Sequence, residues 1–389
     1  MICDEERAAR ALLLRASEPV TPNLIRHVRA VGAVQAITDI RRGTAVGAID
    51  VAALAHRIMD FSGERELAAA ADQGIRLVCP GDEEWPAGLD DLAGQVADSF
   101  GLWVRGPLSL AETCARAVAI VGTRAATDYG ATVAVEFAAG LADQGWTVVS
   151  GMAFGIDAAA HRGALARHGA TVAVLACGVD NAYPRAHRSL HEQICATGLV
   201  VSEHPLGAAP QRPRFLVRNR IIAALSAGTV VVEAAPRSGA RSTARHAGEL
   251  YRHVMAVPGP ISSTTSAGCH QLLRDRPDTV LVTKVDEILE QVGEMGQFAD
   301  RVTGPVRRRD LLGPAVSRVL DAVPVIRAAP VARIAATAGM REDAVAAALA
   351  ALAVNGLVEA DSDGWRMTRL GRDERRADSG PEELPLGWW

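Results

Sequence analysis

A doubly wound, mainly parallel α/β sheet is the fold the sequence predicts, and three observations carry the prediction. Seven short apolar runs recur through the middle of the chain, beginning near Ala117 (AVAIV), Trp146 (WTVV), Thr171 (TVAVLA), Leu199 (LVV), Thr229 (TVVVE), His253 (HVMAV) and Thr279 (TVLV). Their starts lie about 24 to 30 residues apart, which leaves room for a helical crossover between parallel strands. The runs are rich in β-branched residues and do not alternate with polar ones, as expected of strands covered on both faces. The architecture is therefore Rossmann-like.

Taken in order, the chain opens with a helical domain over residues 1–72. Leu12, Leu13, Leu24, Ile25, Val28, Val31, Val34 and Ile37 stand at helical spacings, broken by Pro19, Pro22 and Gly32. The domain as a whole reads as SAM-like or helix-hairpin-helix-like, and Leu24 to Ile37, with its central glycine, reads as a helix-turn-helix or helix-hairpin-helix fragment touching a DNA backbone, or as part of a plain packing bundle. The sheet domain follows over 73–293. Residues 294–313 lack apolar periodicity and contain Gly304-Pro305 and Arg307-Arg308-Arg309, the marks of a linker. Over 314–371 three helical stretches precede a short hairpin predicted to turn at Asp363-Gly364, the order of a winged helix. Its third helix offers only Arg341 as a base, so DNA and protein both stay open as its ligand. Residues 372–389 read as a flexible tail ending in Trp388-Trp389.

Composition narrows the function. With 389 residues, 49% hydrophobic and 22% charged, the chain has the makeup of a globular protein of two or three domains. An acidic start and the lack of a membrane-length apolar run predict a cytoplasmic protein without a membrane partner. Six cysteines lie scattered without a Cys-x-x-Cys pair, so neither a metal site nor a disulfide framework is expected. The net charge is −4, yet Pro205 to Arg252 holds eight arginines against two glutamates, a local site for a polyanion. Lys284 is the only lysine, which excludes a Walker A phosphate loop.

In a doubly wound sheet the loops at the strand C-termini share one edge, where ligands bind. The turn Ser150-Gly151-Met152-Ala153-Phe154-Gly155-Ile156-Asp157 leads from a strand into a helix, and such a turn is expected to present free backbone N–H groups to an anion. Its Gly-x-x-x-Gly spacing, with no ribose-binding carboxylate after the next strand, disfavours a dinucleotide; no cofactor is expected. Gly122-Thr123-Arg124 places a hydroxyl and a guanidinium at another strand end, a pairing suited to phosphate. Arg212-Pro213-Arg214-Phe215-Leu216-Val217-Arg218-Asn219-Arg220 surrounds one aromatic with four arginines, the chemistry that clamps single strands by stacking and charge. Ser238 and Gly239 shape the loop after Glu233. That glutamate reads as a sugar or catalytic contact, or else as a buried ion pair with a nearby arginine. Asp157 and His161, four residues apart, read as an acid–base pair or as a helix cap with its neighbour.

Ala119 to Arg124, the Ser150 segment with His161, Tyr183-Pro184, Ser202-Glu203, Arg218 to Ile222, Val232-Glu233-Ala234, Ser238-Gly239 and Val257-Pro258-Gly259 resemble, in order, the DNA-processing protein A (DprA/Smf) family over about residues 76 to 290. The resemblance implies a protein without catalytic activity that binds single-stranded DNA. It further implies dimerisation through the Rossmann-like domain and help in loading RecA recombinase during natural transformation. By position it places Thr123, Arg124, Arg212 and Phe215 in the DNA pocket, with Gly207 shaping a loop and Arg218, Asn219 and Arg220 in support. Leu216, Arg241-Ser242, His270 and Asp275-Arg276-Pro277 depart from the family pattern. A nucleotide enzyme of the phosphoribohydrolase-like Rossmann class is the alternative, although its Pro-Gly-Gly-x-Gly-Thr motif is missing here.

Overall fold

The computed structural model describes residues 2–44, 46–47, 49–95, 98–293 and 312–376. The expected linker, apart from its last two residues, and the tail beyond Arg376 with Trp388 and Trp389 lie outside them. The chain divides into two compact units, residues 1–299 and 300–389.

In the first unit all seven apolar runs form strands. Two short strands precede them, β1 (Ile75–Val78) and β2 (Leu102–Arg105), followed by β3 (Ala117–Val121), β4 (Thr147–Ser150), β5 (Thr171–Val174), β6 (Leu199–Ser202), β7 (Gly228–Val231), β8 (His253–Ala256) and β9 (Thr279–Leu281). They make one nine-stranded sheet in the order β1-β2-β6-β5-β4-β3-β7-β8-β9. Pairing is parallel from β6 through β9, while β1 pairs antiparallel with β2 and β2 antiparallel with β6. After β3 the chain winds outward through β4, β5 and β6, then returns to lay β7 on the other side of β3. The strand order reverses there, so the loops after β3 and β7 diverge and open a crevice at their C-terminal ends.

Burial explains why the runs are continuous in apolar character. Within β3, Val118 and Ile120 join one apolar cluster while Ala117, Ala119 and Val121 join the cluster on the opposite face. A polar residue anywhere in such a strand would lie unsolvated, and each buried Val or Ile contributes about 1.5–3 kcal/mol.

Helices Asp4–Ala16, Pro22–Val31, Ala33–Arg42, Val51–Ile58 and Gly63–Ala71 form the N-terminal layer. The stretch read around Gly32 is two helices meeting at that glycine, whose φ of +84° ends the first. Leu13, Leu24 and Ile40 of this layer belong to the same apolar cluster as Met152, Ala173, Leu175 and Val200 of the sheet domain. Arg7 adds a charged tie, donating to both Asp82 carboxylate oxygens at 2.6 and 2.8 Å and to the Leu77 carbonyl of β1 at 2.7 Å.

The second unit has its own core of Val319, Leu320, Ile334, Leu349, Leu352 and Met367. Helices Pro314–Ala322, Val331–Ala338 and Glu342–Val354 precede an antiparallel pair, β10 (Val358–Asp361) and β11 (Gly364–Met367), and a further helix, Arg369–Arg376. Gly339, at φ +64°, closes the second helix in the left-handed conformation that glycine adopts without strain.

Candidate nucleic-acid interface

The crevice between the β3 and β7 loops is a cleft of about 620 Å³. Gly122, Thr123 and Arg124 form one wall and Ala235 to Ala240 another. Helix Arg212–Ala224 supplies Arg212, Phe215, Arg218 and Asn219 to its floor and rim, and Tyr183 closes one side. Pro213 in the first turn of that helix suits its start, where the missing N–H would be unpaired in any case. Arg212, Phe215 and Asn219 share a face at spacings of three and four, which is why one helix delivers a cation, a ring and an amide to the same cleft.

The rings and cations touch one another. The Arg124 guanidinium lies 5.2 Å from the Phe215 ring centre, and the Tyr183 ring stands 5.6 Å from it at a tilt of 47°. Among the described residues, no hydrogen bond or ion pair engages the exposed guanidiniums of Arg124, Arg212 or Arg237. Three unpaired cations thus line the same cleft as a pair of aromatic rings. Tyr183 and Arg237 were not among the predicted site residues. Arg237 was legible in its place on the loop after β7, whereas nothing local to Tyr183 announced its approach to Phe215.

The remaining arginines of the basic segment already have partners. Arg214 donates to Glu18 through two nitrogens at 2.5 and 2.9 Å, and Arg252 pairs with Asp91 at 2.6 Å. Arg245 pairs with Glu249 at 2.5 Å, and Arg241 donates to Gln271 at 2.8 Å. Arg220, 1% exposed, pairs with Glu203 at 2.7 Å, out of reach of any ligand in the cleft. Arg220 is therefore a core cation rather than a DNA contact, because a charge at that depth needs a fixed counter-ion. Arg218 lines the cleft with its side chain buried, donating to the carbonyls of Gly151, at 2.9 Å, and Val174. Burial pushes its pKa down to about 10, which still leaves it charged at neutral pH.

The glycine turn after β4 is not an open cradle. Asp157 folds back from the following helix, and its Oδ2 accepts the N–H groups of Gly151 at 3.2 Å and Ala153 at 3.3 Å. An internal carboxylate thus occupies the place expected for an external anion. Burial pushes the Asp157 carboxyl upward, opposed by Arg218 and by these N–H groups. Gly151 leaves space for the Arg218 guanidinium, and Gly155, at φ +76°, lies against the carbonyls of Thr123 and Arg124. Ser150 is fully buried and donates to the Ile120 carbonyl at 2.7 Å, so it holds β4 to β3 and reaches no ligand.

Three further expectations are corrected by their surroundings. His161 is fully buried and pairs with Thr171 at 2.7 Å, not with Asp157; burial pushes its pKa down to about 3, so it stays neutral. Glu233, 2% exposed, accepts from the Thr127 hydroxyl at 2.7 Å, the Thr127 N–H at 3.0 Å and the Thr265 hydroxyl at 3.0 Å. It joins the β7 end to the start of helix Asp128–Asp143 and, among the described residues, forms no ion pair with an arginine. Gly207, at φ +75°, donates to Asp180 and stands outside the lining of the cleft. Asn219 bridges to the Gly239 carbonyl at 3.2 Å, and Ser238 and Gly239 line the wall opposite Thr123.

Fold and site together define a doubly wound α/β protein with an arginine-rimmed, aromatic-floored cleft where its strand order reverses. The model of the DNA recombination-mediator protein A family matches residues 76–293, and the chain belongs to that family. It is 42% identical over 389 residues to the DNA processing protein DprA of Mycobacterium tuberculosis, covering 98% of this chain and 99% of that relative. Identity to DprA of Bacillus subtilis is 33% over 248 residues, 63% of this chain and 82% of the relative. The X-ray structure of DNA processing protein A from Streptococcus pneumoniae is similar at a TM-score of 0.63 and 29% identity, over 75% of this chain and 99% of that one.

Proposed function

We propose that this protein binds single-stranded DNA in the β3–β7 cleft, protects it, and passes it to RecA recombinase during natural transformation and homologous recombination. The observation that carries the reading is the set of three unpaired guanidiniums, Arg124, Arg212 and Arg237, beside the Phe215 and Tyr183 rings. Unpaired bases have free faces to stack on such rings while their phosphates meet the cations; a duplex offers the phosphates alone. Delivery to RecA, pairing of two copies through the sheet domain and a cytoplasmic setting belong to the same proposal and are supported by the family membership. Among the described residues no helix is long and apolar enough to cross a membrane.

The protein performs no catalysis in this reading. Asp157, which lines the cleft, and Glu233, at the end of β7, are held by backbone and threonine donors, which leaves neither aimed at a ligand. The C-terminal unit acts as a winged helix, supported by its three helices and antiparallel pair. A competition titration between single-stranded and duplex DNA tests the whole reading, with RecA filament formation on the protected strand as second readout. Preference for single strands, with single-strand affinity and salt slope both reduced in Arg124→Ala/Arg212→Ala, is the expected result. Equal affinity for both DNA forms, or an unaltered double variant, removes the assignment.

A further inference from the structure

We propose that the outer face of helix Ala240–Glu249 is a second phosphate track, which carries single-stranded DNA onward from the cleft. The inference rests on the DNA-binding reading above and extends it to residues outside the cleft. A second hollow of about 370 Å³ lies on this face, lined by Pro236, Arg241, Ser242, Arg245, Asp275 and Arg276 with Leu272 at its base. Arg237, the next residue after Pro236, lines the cleft. The two depressions therefore meet at one loop. Two of the places where the sequence departs from the family pattern, Arg241-Ser242 and Asp275-Arg276-Pro277, converge here: Arg241 and Asp275 approach to 3.7 Å.

The cations are arranged for an extended anion. Positions 241, 245 and 248 recur at four and three residues, so they share one helix face about 10 Å long. Arg241 and Arg245 come from the helix itself. Arg276 reaches across from the end of helix Ala267–Asp275, and its guanidinium packs on Gly248, where any side chain would overlap it. Each of the three guanidiniums has a carboxylate partner, Asp275, Glu249 and Asp278 in turn, and two of them also meet neutral acceptors. Arg241 donates to the Pro236 carbonyl at 2.5 Å and to Gln271 at 2.8 Å, and Arg276 to the Ala244 carbonyl at 3.5 Å.

Two of their acidic partners are largely exposed and the third partly so. Asp275 and Asp278 are 64% and 65% exposed, and Glu249 is 37% exposed. Ion pairs so exposed are weak and screened by salt, whereas a phosphate can bind a guanidinium through two parallel hydrogen bonds. These carboxylates hold the arginines in place until a DNA backbone exchanges with them.

Fluorescence anisotropy with two oligothymidylates tests the track, one of about 6 nucleotides to fill the cleft and one of about 25 to continue past it. In Arg241→Gln/Arg245→Gln/Arg276→Gln the long oligonucleotide is expected to bind at least fivefold more weakly at low salt. Its log–log salt slope should fall by about 2, near 0.7 for each phosphate that is no longer neutralised, while the short one binds as to wild type. Arg241→Gln/Arg245→Gln, which keeps Arg276 packed on Gly248, should show about two thirds of that decrease. Arg162→Gln/Arg167→Gln, neither of which lines the cleft or the hollow, controls for net charge. A wild-type slope for the long oligonucleotide in both variants, or an equal loss in the control, overturns the track. If instead the wild-type protein binds neither oligonucleotide, the cleft reading itself has failed.

Discussion

Phe215 and Arg124 touch, yet they contribute to binding through different physics. A guanidinium that meets a phosphate releases counter-ions, so its effect fades as salt rises; a ring stacked on a base acts alike at all salt concentrations. Phe215→Ala is therefore expected to weaken single-strand binding by about 1–3 kcal/mol with little change in salt slope, and Phe215→Trp to restore it. A salt series of binding isotherms measures both quantities. A loss confined to low salt would assign the ring to positioning Arg124 instead of to stacking. His161, and His204 just after β6, are both buried in the sheet domain. Burial pushes them down to about 3 and about 4 from 6.5, so the unfolded chain takes up protons before the folded one does. Their stabilising contribution is complete above pH 6.5 and is lost as pH falls toward 4, at about 1.4 kcal/mol per pH unit for each histidine. Urea unfolding at pH 7.5, 6 and 5 follows this loss, and His161→Gln should make the decline shallower. Stability that held constant across that window would show that neither histidine is kept neutral by the fold.

Strands β3 to β9 were readable because each is an apolar run with a crossover-length spacing to the next. β1 and β2 carry no such signal: each has four residues, includes an arginine and pairs antiparallel, so only the assembled sheet defines it. The cleft followed from topology, since loops at strand C-termini must share an edge, and the rim residues Arg124, Arg212 and Phe215 followed from their chemistry. What sequence could not separate was exposed from buried charge. Arg212, Arg218 and Arg220 stand on one helix within nine residues, and their depth depends on which face meets the sheet. The glycine turn misled for a related reason. Asp157 lies within the same motif that signals an anion site, and it folds back to occupy those N–H groups itself. That turn now has a defined duty, since Gly155 lets it pass close to the carbonyls of Thr123 and Arg124. A Cβ at position 155 would approach the Arg124 carbonyl oxygen to 2.7 Å in a backbone conformation that L side chains rarely adopt. Gly155→Ala is expected to cost about 1–3 kcal/mol in stability and to move Arg124 off Phe215. Calorimetric melting paired with single-strand titration would detect both, and an unchanged affinity would mean that this loop tolerates the shift.

The change from helical spacings to alternating strand and helix patterns assigns the N-terminal helices and the sheet to separate domains with a boundary at residue 72, but stability depends on where the apolar surface is buried. Leu13, Leu24 and Ile40 share a cluster with Ala173, Leu175 and Val200, so the helices cover one face of the sheet. Removing residues 1–72 would expose that face to water and deprive Arg214 of Glu18 and Asp82 of Arg7. The second unit presents the opposite case. Its cluster of Val319, Leu320, Ile334, Leu349 and Leu352 is complete within residues 312–367. Two truncations should consequently behave in opposite ways. A chain of residues 1–299 is expected to melt cooperatively within a few degrees of the full protein and to bind single strands within about threefold, since a shift of 1 kcal/mol is roughly fivefold. A chain of residues 73–389 is expected to aggregate or to lose its cooperative transition, because several exposed core residues at about 1.5–3 kcal/mol each exceed the stability of an ordinary domain. Scanning calorimetry of both fragments decides between the two accounts. A soluble, sharply melting 73–389 fragment would restore the boundary at 72, and a 1–299 fragment unable to bind single strands would move part of the DNA site into the C-terminal unit.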